Sequence, residues 1–158
     1  MLLAVSLTAG YSQSFNVPGI TNHVPQAGMR VKVVPIEYKN TDVYYSLYLP
    51  KNYKKGNKHP VIVEYPGNEW KQAGSTGLVR FVDLGFSIAE KIEAIWVVFP
   101  YIEDSIPITK WWGKKEETVE FALSNIRQIC VDYGGNQAEI FFLGFQEYSM
   151  IRVQWGME

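Results

Sequence analysis

The sequence predicts an α/β fold, in which an N-terminal antiparallel hairpin leads into a partial, mainly parallel sheet with crossover helices. Three observations carry that expectation. The runs AIWVVF at 94–99 and EIFFL at 139–143 are too continuously apolar for strands with one wet face, and VIVEY at 61–65 precedes them. Such runs suit strands buried on both faces, as in a parallel sheet covered by helices. Between the second and third lies KKEETVEFALSNIRQICVDYGG, with apolar residues at helical spacing. Ahead of all of them stand two β-branched and aromatic runs joined by a polar turn.

In chain order, residues 15–30 carry two Pro and two Gly without periodicity and read as an irregular lead-in. VKVVPIEYK and VYYSLYLP, joined by Asn40-Thr41-Asp42, give a hairpin signal. The segment 50–59 is rich in Lys, Asn and Gly and is expected as a solvated loop. After the first core run, residues 84–92 are expected to form a short helix, although Gly85 argues against it. The second helix should present Val119, Ala122, Leu123, Ile126, Ile129, Cys130 and Tyr133 on one stripe. Glu116 and Glu117 at its start suit the helix dipole, and Gly134-Gly135 ends it. Strand, helix and strand in this order imply right-handed crossovers.

At 158 residues the chain is one domain, large enough to bury a core. Fifteen basic and sixteen acidic side chains give a net charge of −1, so charge points to neither nucleic acid nor an anionic membrane surface. The single cysteine, Cys130, excludes an internal disulfide and a Cys-based zinc site, and its place on the helical stripe reads as core. No cofactor and no metal are expected. The run LLAVSLTA at 2–9 resembles the apolar part of a secretory signal, although no Lys or Arg precedes Arg30, so residues 1–14 are read as a signal segment and the protein as secreted. Eight apolar residues cannot cross a bilayer.

In sheets of this kind, sites form beyond the carboxyl ends of the strands. Three loops lie past those ends, at 66–77, 100–113 and 144–148. Here YYSLYLPKNY (44–53), VIVEYPGN (61–68) and DYGGNQAEIFFLGF (132–145) together resemble the α/β-hydrolase superfamily, in its secreted esterase and polyester-depolymerase-like branch. The resemblance covers residues 31–145 and corresponds to the N-terminal half of such a domain. It implies carboxyl-ester hydrolysis through an acyl-enzyme, with an oxyanion loop at Gly67 and Asn68.

The superfamily's nucleophile elbow, G-x-S-x-G, lifts a serine clear of the sheet on a strained turn. This sequence reads Gly144-Phe145-Gln146-Glu147-Tyr148. Gln146 stands in the serine's place, and an amide cannot be activated to attack an acyl carbon. Ser149 is displaced by three residues. The acid and the His that should come later are also missing: after Tyr148 the one acid is Glu158, while His23 and His59 lie upstream and read as loop residues. Glu147 would further oppose an oxyanion. A frame disruption would explain the departure, because loss of one T from a supposed TTT TCA AGA G, which encodes Phe-Ser-Arg, yields TTT CAA GAG, which encodes Phe-Gln-Glu as at 145–147; exon mis-joining and a genuine pseudoenzyme with a short tail are the alternatives. On this expectation residues 146–158 are a divergent tail, and the chain is a truncated, inactive relative of a serine esterase.

A different class of function is a non-catalytic ligand- or carbohydrate-binding module. Trp70, Tyr101, Trp111 and Trp112 fall in the loops at the expected active edge, where flat rings can stack on sugars or aryl groups. Loop packing, or burial under further chain, is the competing explanation. The partners implied are a small ester or a glycan, and self-association through an uncovered sheet edge. Glu103 and Asp104 are adjacent carboxylates, expected to be solvated rather than metal-binding. Tyr65 is expected to pack at the end of its strand.

Overall fold

The structure is a computed structural model that describes residues 16–143 and the backbone of a further strand at 151–153. Its elements are β1 (Ile20–Thr21), β2 (Arg30–Val33), β3 (Tyr45–Tyr48), β4 (His59–Glu64), α1 (Leu84–Ile92), β5 (Ile95–Val98), β6 (Tyr101–Glu103), β7 (Ile106–Ile108), α2 (Lys115–Tyr133), β8 (Gly135–Leu143) and β9 (Ile151–Val153). Seven of the strands form one mixed sheet in the order β1-β2-β3-β5-β4-β8-β9, while β6 and β7 pair separately. The three apolar runs are the parallel centre: β5 pairs with β4 and β4 with β8. β3 joins that centre antiparallel to β5, and β2 pairs antiparallel to β3.

Period-two alternation sorts the side chains of these strands into two layers. Val61, Val63, Ile95, Val97 and Ile140 pack with Phe121, Ala122, Ile126 and Ile129 of α2. Ile62, Trp96 and Val98 pack on the other face with Phe86 and Ala89 of α1. The sheet is therefore covered on both sides. Between β4 and β5 the chain crosses through α1, and between β5 and β8 it crosses back through α2. These crossovers run in opposite directions on opposite faces, so they share one hand.

Several local expectations need correction. The hairpin has no tight Asn40-Thr41-Asp42 turn, because β2 ends at Val33 and Pro35, which lacks an N–H for the ladder, opens a 3-10 turn at Ile36–Tyr38. The lead-in is not wholly irregular, since β1 lies parallel to β2. Residues 100–113 are not a simple loop: Asp104 and Ser105, both at positive φ, make a two-residue turn between β6 and β7. Glu117 in the first turn of α2 accepts the N–H groups of both, each at 2.8 Å. The stripe of α2 is rotated from the expected one, with Thr118, Phe121 and Asn125 buried and Val119 exposed. Thr118 is drawn inward because its hydroxyl accepts the Ile102 N–H at 3.0 Å.

His59 is not in a loop. It opens β4, buried, with Nδ1 2.9 Å from the Glu93 carbonyl oxygen and its ring 5.5 Å from that of Tyr53. His23 is exposed and Cys130 buried, as expected, and burial pushes the Cys130 thiol pKa up. Among the described residues, no helix is long and apolar enough to cross a membrane. The helix at 84–92 forms as expected, and the structure explains its glycine. A Cβ on Gly85 would lie 2.6 Å from both Glu64 Oε2 and Trp96 Nε1. Gly85→Ala is therefore expected to destabilise the fold by about 1–3 kcal/mol despite alanine's higher helix propensity. Urea unfolding measures it, and an unchanged or raised midpoint would contradict this packing.

Candidate functional site

The site begins where β4 ends. Glu64, its last residue, falls on the α1 face by strand alternation and is only 2% exposed. A carboxylate at such depth requires donors. Its Oε2 accepts the Gly85 N–H at 2.8 Å and the Trp96 Nε1–H at 2.7 Å. The first of these bonds satisfies an N-terminal amide of α1, where the preceding Asp83 makes no side-chain cap.

Trp96 also faces a buried cation. Arg30 of β2 donates from Nε to Ser46 Oγ at 3.1 Å and from Nη2 to the Val79 carbonyl at 3.0 Å, and its guanidinium carbon lies 4.3 Å from the Trp96 ring centroid. Burial lowers the Arg30 pKa to about 10, against the attraction of Glu64. Burial raises the Glu64 pKa, opposed by its two donors and by Arg30 and reinforced by Asp83.

Beyond Glu64 opens a cleft of about 590 Å³, lined by the end of β4, parts of the segment 65–78 and residues 81–84. The loop is pinned in place. Glu69 donates its N–H to the Thr109 carbonyl at 2.7 Å and accepts the Thr109 hydroxyl at 2.9 Å, while Lys110 Nζ stands 4.0 Å from its carboxylate. Gly77, at φ 69°, lies against Thr109 so closely that a Cβ would come within 2.8 Å of that residue's Cα. Ser75 donates its hydroxyl to the Asn68 carbonyl at 2.6 Å.

Gly67 and Asn68 both line this cleft. Among the described residues, their N–H groups have no acceptor, whereas those of Glu69 and Trp70 are taken. Pairing of β4 with β8 continues to the Tyr65 N–H, which donates to the Leu143 carbonyl at 3.2 Å. The chain therefore leaves β8 beside the cleft. Gly144, Phe145, Gln146, Glu147, Tyr148 and Ser149 lie outside the described residues.

The expected aromatic residues divide into groups. Tyr101 stacks on Tyr65, with centroids 5.1 Å apart and planes 19° apart, and Trp112 stands 6.3 Å from Tyr101. Tyr65 thus packs at its strand end as expected, while also lining the cleft. Trp70 lines the cleft and is 62% exposed. Trp111, at φ 62°, is 76% exposed and belongs to neither group. Burial by loop packing is thus not the fate of Trp70 or Trp111. Glu103 and Asp104 are exposed, and among the described residues no cluster of His, Cys, Asp or Glu could hold a metal ion.

Residue patterns did not single out Glu64, Arg30 or Ser46. The one signal, for Glu64 alone, was an acid closing the apolar run VIVE, a position where solvation is improbable. No family model matches the chain, and no curated protein is detectably similar to it.

The raised Glu64 pKa has a defined sign in stability. In the window above the ordinary value of 4.5, the folded chain keeps a proton that the unfolded chain has released. This contribution is fully present below that value and is lost as pH rises through the folded pKa. Glu64→Gln should therefore flatten the decline in urea midpoint that sets in as pH rises above 4.5. A variant that keeps the wild-type slope would contradict the role of this group.

Proposed function

We propose that the chain carries an α/β-hydrolase-like sheet whose parent activity is serine carboxyl-ester hydrolysis, and that with Gln146 at the elbow position it performs no acyl transfer. One observation carries this reading: the strand order β2-β3-β5-β4-β8 sets the end of β4 beside the end of β8. An elbow after one strand and an oxyanion loop after its neighbour need that juxtaposition. The order also resembles the first half of an α/β-hydrolase sheet. The N–H groups of Gly67 and Asn68, without an acceptor among the described residues, fit the donors that a developing oxyanion requires. Against catalysis stands Gln146, which offers no nucleophile. The apolar run at 2–9 fits export of the protein.

A second reading, a non-catalytic ligand- or carbohydrate-binding module, is favoured by the exposure of Trp70 and Trp111 at this edge. Rings held open to solvent are available for stacking.

The purified chain is expected to hydrolyse a p-nitrophenyl ester no faster than buffer does, and to take no label from a fluorophosphonate probe. Phosphonylated protein with matching loss of turnover would overturn the inactive assignment. The parent activity is tested separately, by reading the transcript across the Phe145 codon. Another frame should continue with Ser-x-Gly and later supply an acid and a His; a transcript without that continuation would count against an esterase origin.

A further inference from the structure

Glu64 does more than cap α1. Its Oε2 is occupied by two donors, but none of the described residues donates to Oε1. Among the described residues, His59 Nε2 is the one sealed side-chain polar atom without a partner, so Oε1 is not closed off, and Glu64 lines the cleft. An acceptor held rigidly from behind at the border of the cleft is a preorganised contact for a donor on a ligand.

The surrounding chemistry narrows that ligand. Among the described residues no Lys, Arg or His lines the cleft, while Glu64 and Asp83 both do, so a carboxylate or phosphate ligand would find no cationic side chain there to offset those two acids, only the Gly67 and Asn68 N–H groups. An organic cation gains less here than beside a lone carboxylate, because Glu64 is already attracted to Arg30. Neutral donors remain. Trp70 supplies a flat apolar face beside them, and the Asn68 amide stands at the rim, exposed.

We propose that this cleft binds a neutral, hydroxyl-bearing ring such as a saccharide unit, with Glu64 Oε1 accepting a hydroxyl and Trp70 stacking on the ring's C–H face. The proposal rests on the binding reading and is independent of ester chemistry. It places the ligand at Glu64 and Trp70, away from Trp111.

The test is titration of the full chain with xylotriose, cellotriose and, as a cation control, benzamidine, monitored by calorimetry and amide NMR. A saturable trisaccharide response with a Kd of about 1 mM or below is expected. Trp70→Ala, at an exposed position, should weaken it about tenfold, and Glu64→Gln by about tenfold or more, because an amide nitrogen replaces the accepting oxygen. Trp111→Ala should leave it unchanged. If binding falls in Trp111→Ala and persists in Trp70→Ala, the binding reading survives and this cleft assignment is overturned. Tighter binding of benzamidine than of either trisaccharide overturns the ligand class, and absence of any saturable response overturns both.

Discussion

The indole of Trp96 sits between two buried charges of opposite sign, and much of the α1 side of the sheet depends on that arrangement. Its ring face, the negative part of the aromatic quadrupole, receives Arg30, and its N–H edge, the positive part, points at Glu64. Neither charge could stay at this depth alone, since isolated buried ions are costly. Their remaining contacts tie distant segments together. Arg30 reaches Ser46 on β3 and the Val79 carbonyl, and Glu64 reaches the first turn of α1. One polar network thus links β2, β3, β4, β5 and the helix behind them. Gly85 is the residue that lets them meet, because any side chain there would fill the space that the carboxylate and the indole occupy.

The cleft is a product of this scaffold. Its floor is the end of β4 and one wall is the approach to α1, both fixed by Glu64. The other wall, the loop after β4, is fastened to Thr109 through Glu69 and through the close approach of Gly77. Its backbone donors at Gly67 and Asn68 are therefore held in place without a ligand. The cleft and its backbone donors are built by residues 64–84, all within the described part of the chain.

The centre of this fold was legible because its signals are strong. Two runs with no polar face announced a doubly covered sheet, and a long periodic segment closed by Gly134, at φ 72°, announced α2. Local errors have local causes. Pro35 cut β2 short, and the Asp104-Ser105 turn hid a hairpin inside a segment that looked like a loop. The stripe of α2 was misplaced because Thr118 and Asn125 are buried through hydrogen bonds, to Ile102 and to the Phe121 carbonyl, which hydrophobic periodicity does not see. The charged network escaped for the same reason. Arg30, Ser46, Glu64 and Trp96 are far apart in sequence, and only the strand order brings them together.

The most direct measurement is the hydrogen exchange and pH titration of the Trp96 Nε1–H by NMR. The expected result is a strongly protected indole proton whose chemical shift tracks the protonation of a single carboxyl group above its ordinary range, and whose titration disappears in Glu64→Gln. An indole proton that exchanges freely, or a shift that ignores both pH and that substitution, would mean the network does not exist and would remove the basis for the cleft.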